Sequence, residues 1–210
     1  MSSLPLGMIS LSVKGLSKRY NRNPIFTDLT FEHTDGVLGI AGSNGSGKST
    51  LLKCLAFLTR AQKGTITWHK QEQELYKEDI KGNIGYAAPY INLYDELTAF
   101  ENLEFLLQTA GLPIKITHIN SQIDQVQMKD HRQKLFKSLS TGQRQRIKIA
   151  AALIRKPDII LLDEPGSNLD EYGRELIMKI VNMQKAKNKL VIIASNDPKE
   201  IDLCDQVIEL

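Results

Sequence analysis

The sequence predicts an α/β fold with a mainly parallel sheet, an N-terminal antiparallel β subdomain and a helical subdomain in its middle. Three observations predict it. Near the start, Ile9, Leu11 and Val13 alternate with Ser10 and Ser12, and Leu29 and Phe31 repeat that period of two, as half-buried antiparallel strands do. Continuous apolar runs at Val37 to Ala41, Ile159 to Leu162 and Leu190 to Ala194 suit strands covered on both faces. Helical patterns follow the first two of these runs, and such alternation implies a parallel sheet.

Taken in order, Ile9 to Val13 and the segment around Leu29 form an antiparallel pair. Val37 to Ala41 leads into a Gly-rich turn, and Ser49 to Leu58 reads as a helix. Gly64 to Trp68 is a further strand. Thr98 and Glu101 have capping-box spacing ahead of Phe100, Leu103, Leu106 and Leu107 at helical intervals. That helix should stop near Gly111 and Pro113. Residues 114–138 are polar and helix-compatible. Gln143 to Ile154 is helical, with Ile147, Ala150, Ala151 and Ile154 on one face, and Glu171 to Gln184 is another helix. The expected organisation is one domain: residues 1–95 and 141–210 form the core, and 96–140 the helical subdomain.

Composition removes several classes. Hydrophobic residues are 41% and charged residues 24% of the 210, which excludes wholesale disorder. The net charge of +3 is too small to argue for nucleic acid or an anionic membrane. Cys54 and Cys204 lie far apart outside any CxxC pattern, so a reducing, cytoplasmic setting is expected. No run approaches the ~20 apolar residues of a membrane helix. Met1 to Met8 lacks the basic flank and apolar run of a secretion signal.

Chemistry enters at Gly42-Ser43-Asn44-Gly45-Ser46-Gly47-Lys48-Ser49, which matches G-x-x-x-x-G-K-[ST]. Glycines let backbone N–H groups curl around phosphate oxygens, and the following helix aims its positive end at the same anion. Lys48 can reach the β- and γ-phosphates, and Ser49 can bind Mg²⁺. This makes the core a P-loop NTPase type. Asp163 and Glu164 end the apolar run from Ile159. That strand is expected beside the phosphate-loop strand, with Asp163 on Mg²⁺ and Glu164 as the base for an attacking water.

Leu139-Ser140-Thr141-Gly142-Gln143 resembles the LSGGQ signature of the ATP-binding cassette (ABC) ATPases, with Thr141 at the first glycine position. It lies 23 residues before Asp163, as in that family. Ser167-Asn168-Leu169-Asp170 resembles its D-loop, and Tyr20 the aromatic residue that stacks on adenine. The resemblance implies ATP bound with Mg²⁺ by Tyr20, Gly42, Ser43, Asn44, Gly45, Ser46, Gly47, Lys48, Ser49 and Thr50 of one chain. Ser140, Thr141, Gly142 and Gln143 of a second cassette would face the γ-phosphate. It also implies head-to-tail dimers, a separate transmembrane permease subunit and attachment to the cytoplasmic face of the membrane.

Two positions depart from the family. Its Q-loop glutamine falls at Pro89, which has neither a side-chain amide nor an N–H. Its switch histidine falls at Asn196, which can donate to a γ-phosphate oxygen but stays neutral. Slow or partner-dependent hydrolysis is therefore expected, with an ATP-gated binding module as the alternative. Only 91 residues separate Ser49 from Ser140, too few for the coiled coil of chromosome-maintenance members. A minimal single-cassette bacterial exporter subunit remains, the haem exporter of cytochrome c maturation being one possibility. Tyr90, Ile91 and Tyr94 are candidate permease contacts, or else pack within the helical subdomain. The natural start is open between Met1 and Met8.

Overall fold

The computed structural model describes residues 8–210. The stretch 1–7, most of the segment read above as lacking a secretion signal, lies outside them. The chain opens with β1 (Ile9–Tyr20) and β2 (Asn23–Thr34), then β3 (Val37–Ala41) and α1 (Lys48–Leu55). β4 (Lys63–Lys70), β5 (Gln73–Leu75), α2 (Lys77–Gly82) and β6 (Ile84–Ala87) follow. Next come α3 (Ala99–Thr109), α4 (Ile116–Gln125) and two 3₁₀ turns, Lys129–His131 and Phe136–Ser138. The last third runs α5 (Thr141–Leu153), β7 (Ile159–Asp163), α6 (Glu171–Lys185), β8 (Leu190–Ser195), α7 (Pro198–Ile201) and β9 (Gln206–Glu209).

Two sheets result. One is antiparallel, in the order β2-β1-β4-β5, and the other is parallel, in the order β6-β7-β8-β3-β9. The expected α/β class and antiparallel N-terminal part are both observed. One expectation is corrected. β7, which carries Asp163, does not lie beside the phosphate-loop strand β3, because β8 pairs with both and separates them. Buried parallel strands are near-uniform apolar runs, so their sequences carry no mark of which neighbours which.

Side-chain alternation divides the core. On β7, Ile159 and Leu161 face one cluster, and Ile160 and Leu162 the other; on β8, Leu190 and Ile192 oppose Val191 and Ile193 in the same way. The first cluster joins the antiparallel sheet (Ile9, Leu11, Trp68) to α1 (Leu51, Leu52, Leu55). Trp68 is fully buried and donates its Nε1–H to Leu55 O at 3.1 Å. The second cluster takes in α3, α4, α5 and α6. Each buried aliphatic or aromatic side chain is worth about 1.5–3 kcal/mol, so both faces of the parallel sheet are firmly held.

The capping box at Thr98 forms: Glu101 N–H donates to Thr98 Oγ1 at 3.1 Å, and Thr98 N–H to Glu101 Oε2 at 2.7 Å. α3 ends two residues before Gly111, which adopts φ 65°. Residues 114–138 are less helical than their composition suggests. Only α4 is a regular helix there, carried by buried Ile119 and Ile123.

Candidate functional site

The phosphate loop leaves the C-terminal end of β3 and enters α1. At its last turn Gly47 has φ 110°, and a Cβ there would stand 2.5 Å from Ile25 Cγ2 on β2. Only glycine meets both demands. Lys48 is buried, and its ammonium donates back to Gly42 O at 2.7 Å and Ser43 O at 3.1 Å. The same ammonium lies 3.3 Å from a Glu164 carboxylate oxygen. The loop opens on a cleft of about 250 Å³, lined by Asn44, Gly45, Ser49, Thr50 and Glu164, with Ile25 as one wall. Ser46 Oγ is buried without a hydrogen-bond partner.

Glu164 lines this cleft although β8 intervenes, and Asp163 lies buried one residue before it. All the parallel strands point their C-terminal ends to one edge, where crevice-binding is expected in open α/β sheets. Asp163 is 1% exposed, and neither carboxylate oxygen has a hydrogen-bond partner. Burial pushes its pKa up, Ser49 opposes the rise, and the Glu164 charge adds to it. An unpartnered buried carboxylate costs about 1–3 kcal/mol or more, which a divalent cation would relieve. Hard oxygen donors from Asp163 and Ser49 fit Mg²⁺. Glu164 adopts φ 47°, held by its N–H donating to Ala194 O at 2.8 Å. A non-glycine residue there is uncommon, and it swings the carboxylate toward Lys48. Asn196, exposed just past β8, donates its Nδ2–H to Asn44 Oδ1 of the phosphate loop at 3.1 Å.

Ser140 caps α5 in a second capping box: Gln143 N–H donates to Ser140 Oγ at 3.3 Å, and Ser140 N–H to Gln143 Oε1 at 3.0 Å. The Gln143 amide nitrogen also lies 2.9 Å from His131 Nε2. Ser140, Thr141, Gly142 and Gln143 line a cleft of about 570 Å³ together with Asn168 and Asp170. This cleft shares no lining residue with the phosphate cleft. The two clefts therefore lie at different places on one chain. Gln145 Nε2 donates to Pro165 O at 3.1 Å and Arg146 lies 3.6 Å from Asp170, tying α5 to the segment after β7.

Tyr20 stands at the end of β1, paired with Asn23 across the hairpin and 49% exposed. The Lys18 ammonium lies 4.7 Å from its ring centroid. It is outside the lining of the phosphate cleft, where Ile25 forms the wall. Pro89 is exposed, and its carbonyl accepts from Lys148 Nζ of α5 at 2.7 Å. Burial lowers the Lys148 pKa, and the Arg144 charge lowers it further. Among the suggested permease contacts, Tyr94 packs edge to face on Phe105 of α3, with centroids 4.9 Å apart. Tyr90 turns toward Tyr86 of β6.

Several contributors escaped the motif reading: Ile25, His131, Lys148 and Glu200. The buried Glu200 accepts from Gly166 N–H at 2.7 Å, just ahead of the D-loop-like segment. Lys148 alone left a trace, as a charge inside the apolar run Ile147 to Leu153.

Comparison with known proteins bears on this geometry. A family model described as ABC transporter matches residues 27–167. The chain is 34% identical over 186 residues to the ABC transporter ATP-binding protein NatA of Bacillus subtilis (strain 168), covering 86% of this chain and 74% of that one. It is 30% identical over 173 residues to the cytochrome c biogenesis ATP-binding export protein CcmA of Pseudomonas aeruginosa, covering 82% and 85%. Among solved structures, the dimeric bacterial ABC transporter cassette MJ0796 superposes with a TM-score of 0.84 at 24% identity, covering 95% of this chain and 94% of that chain. That likeness concerns the fold.

Proposed function

This chain belongs to the ABC transporter family and is an ATP-binding and hydrolysing cassette of the transporter type; on that premise we propose how its residues divide the work. The carrying observation is the Lys48–Glu164 pair at 3.3 Å beside an unpartnered, buried Asp163. Phosphates entering the loop compete for the Lys48 ammonium and free Glu164 to accept a proton from the attacking water. Ser49 and Asp163 would hold Mg²⁺, which would supply charge to neutralise the phosphate oxygens. Asn196 is drawn from Asn44 to the γ-phosphate as a neutral donor. Gly42 to Thr50 cradle the phosphates, and Tyr20 stacks on the base when the hairpin end closes.

The separate signature cleft supports ATP shared between two cassettes, with Ser140 to Gln143 of one facing the γ-phosphate held by the other. The cation at Lys148, bound to the Pro89 carbonyl, supports a Q-loop stiffened against α5. Together with neutral Asn196 it supports hydrolysis that is slow or dependent on the permease. Retention of Lys48, Ser49, Asp163 and Glu164 favours a working ATPase over a binding-only module. Residues 96–140 act as the helical subdomain. In support, the two ends of this segment pair with each other: Phe136 N–H donates to Leu97 O at 2.9 Å, and Phe100 N–H to Arg132 O at 2.9 Å. No helix among the described residues is long and apolar enough to cross a membrane. Likeness to the ATP-binding proteins NatA and CcmA supports coupling to transport through a separate permease on the cytoplasmic face. NatA and CcmA are similar at comparable identity, so a haem exporter is one option among several for the cargo.

Phosphate release by the purified chain with Mg²⁺-ATP tests this, with Glu164→Gln as control. The expected loss in the variant is about 10²–10⁴-fold, with ATP binding kept. Equal release from both proteins would remove Glu164 from the role of base.

A further inference from the structure

Pro89 offers no side-chain donor or acceptor, yet the next residue brings one to the same edge of the site. The backbone turns over residues 88–91, where Ile91 N–H donates to Ala88 O at 3.1 Å. Lys148 holds the Pro89 carbonyl at 2.7 Å. The turn lays the Tyr90 ring against α1, with Lys53 Nζ 3.9 Å from the ring centroid. The Tyr90 hydroxyl meets the hydroxyl of Tyr86, the rings lying edge to face at 6.2 Å. Tyr86 opposes Leu161 across the β6–β7 ladder, and Ala87 opposes Leu162. The two phenols therefore rise beside the strand end that carries Asp163.

Side chains alternate along β7, so Asp163 lies on the same face as Leu161, and Tyr86 packs with Leu161 on that face. The Tyr86–Tyr90 phenol pair and the Asp163 carboxylate therefore stand on one face of the sheet. Both Asp163 oxygens are buried and without a direct hydrogen-bond partner. A phenol, like an amide, both donates and accepts, and Mg²⁺ keeps several of its waters when bound.

We propose that Tyr90 is a positioning residue for the cation at Asp163: its hydroxyl holds the cation's hydration shell in place of the amide that Pro89 lacks. The assignment rests on the ATP-binding reading above. Tyr90→Phe keeps the ring and the Lys53 contact and removes only the hydroxyl. Tyr90 is 45% exposed, so the variant should fold, and its thermal transition checks that. Mn²⁺ affinity is measured by electron paramagnetic resonance in the complex with AMP-PNP, a non-hydrolysable ATP analogue. Analogue binding in EDTA is measured separately. Expected is about tenfold weaker Mn²⁺ binding in Tyr90→Phe, with analogue affinity in EDTA unchanged. Equal Mn²⁺ affinity in the two proteins would overturn the Tyr90 assignment and leave the ATP reading intact. A wild-type chain that binds the analogue neither with Mg²⁺ nor in EDTA would refute the ATP reading, and this proposal with it.

Discussion

At the residue scale, Asn196 and Lys48 show how charge is distributed around the phosphate loop. Lys48 is a buried cation already engaged by two carbonyls and Glu164, whereas Asn196 approaches the loop from outside as a neutral amide. Asn196→His would add a side chain that becomes cationic below its ordinary pKa of ~6.5. A charge-assisted donor is roughly twice as strong as a neutral one. Turnover in this variant should exceed wild type several-fold near pH 6, with the gain shrinking as pH rises past 7. A flat ratio of variant to wild type across that range would exclude any contact of position 196 with the γ-phosphate. Lys48, Ser49, Asp163 and Glu164 were legible in the sequence because their chemistry needs fixed local spacing. Glu200 and Ile25 were not, because each reaches its partner from a distant part of the chain.

At the element scale, Asp158 joins four strands or their approaches. It accepts from Lys70 of β4 at 2.8 Å and from Asn83, just before β6, at 2.9 Å. Lys189, just ahead of β8, also donates to it, and Asp158 itself precedes β7. Burial alone would raise its pKa, but the Asn83, Lys189 and Lys70 contacts overcome that and hold it well below the usual carboxylate range. A depressed folded-state pKa gives stability that is present above the unfolded value of ~3.9. It is lost as pH falls through the folded value. Asp158→Asn should cost about 1.5–3 kcal/mol at pH 7 in urea unfolding, and the gap to wild type should narrow as pH drops below about 4. A gap independent of pH would assign the loss to packing. None of this was readable beforehand. A lone Asp between Pro157 and Ile159 looks like a loop residue until the strands that carry its partners are assembled. β5, α2, β6 and β9 were missed for a related reason: each is short and is held by pairing or packing, not by its own periodicity.

At the scale of the whole molecule, the phosphate cleft and the signature cleft occupy different places on one chain. A second copy brings them together only if the two chains meet head to tail, which is a closed two-fold arrangement. With Glu164→Gln and ATP, light scattering should report twice the monomer mass, and without ATP the monomer mass. Adding Ser140→Ala to that protein should abolish the dimer while ATP binding persists. Loss of its helix cap costs about 1 kcal/mol, small enough to leave the fold intact. A doubly substituted chain that still dimerises would place the second anion contact elsewhere.

What the sequence determined alone was local. The phosphate loop, the capping box at Thr98 and the acids closing an apolar strand each fall within a few consecutive residues, where backbone geometry and hydrogen bonding act directly. Tertiary structure decided the rest. β8 lies between the phosphate-loop strand β3 and the Asp163 strand β7, Lys148 meets the Pro89 carbonyl, and Tyr90 turns toward Tyr86. The physical reason is common to all three. Apolar strands buried on both faces are interchangeable in composition, and long-range contacts follow from how layers pack. A spacing in sequence therefore cannot specify which distant side chain completes a site.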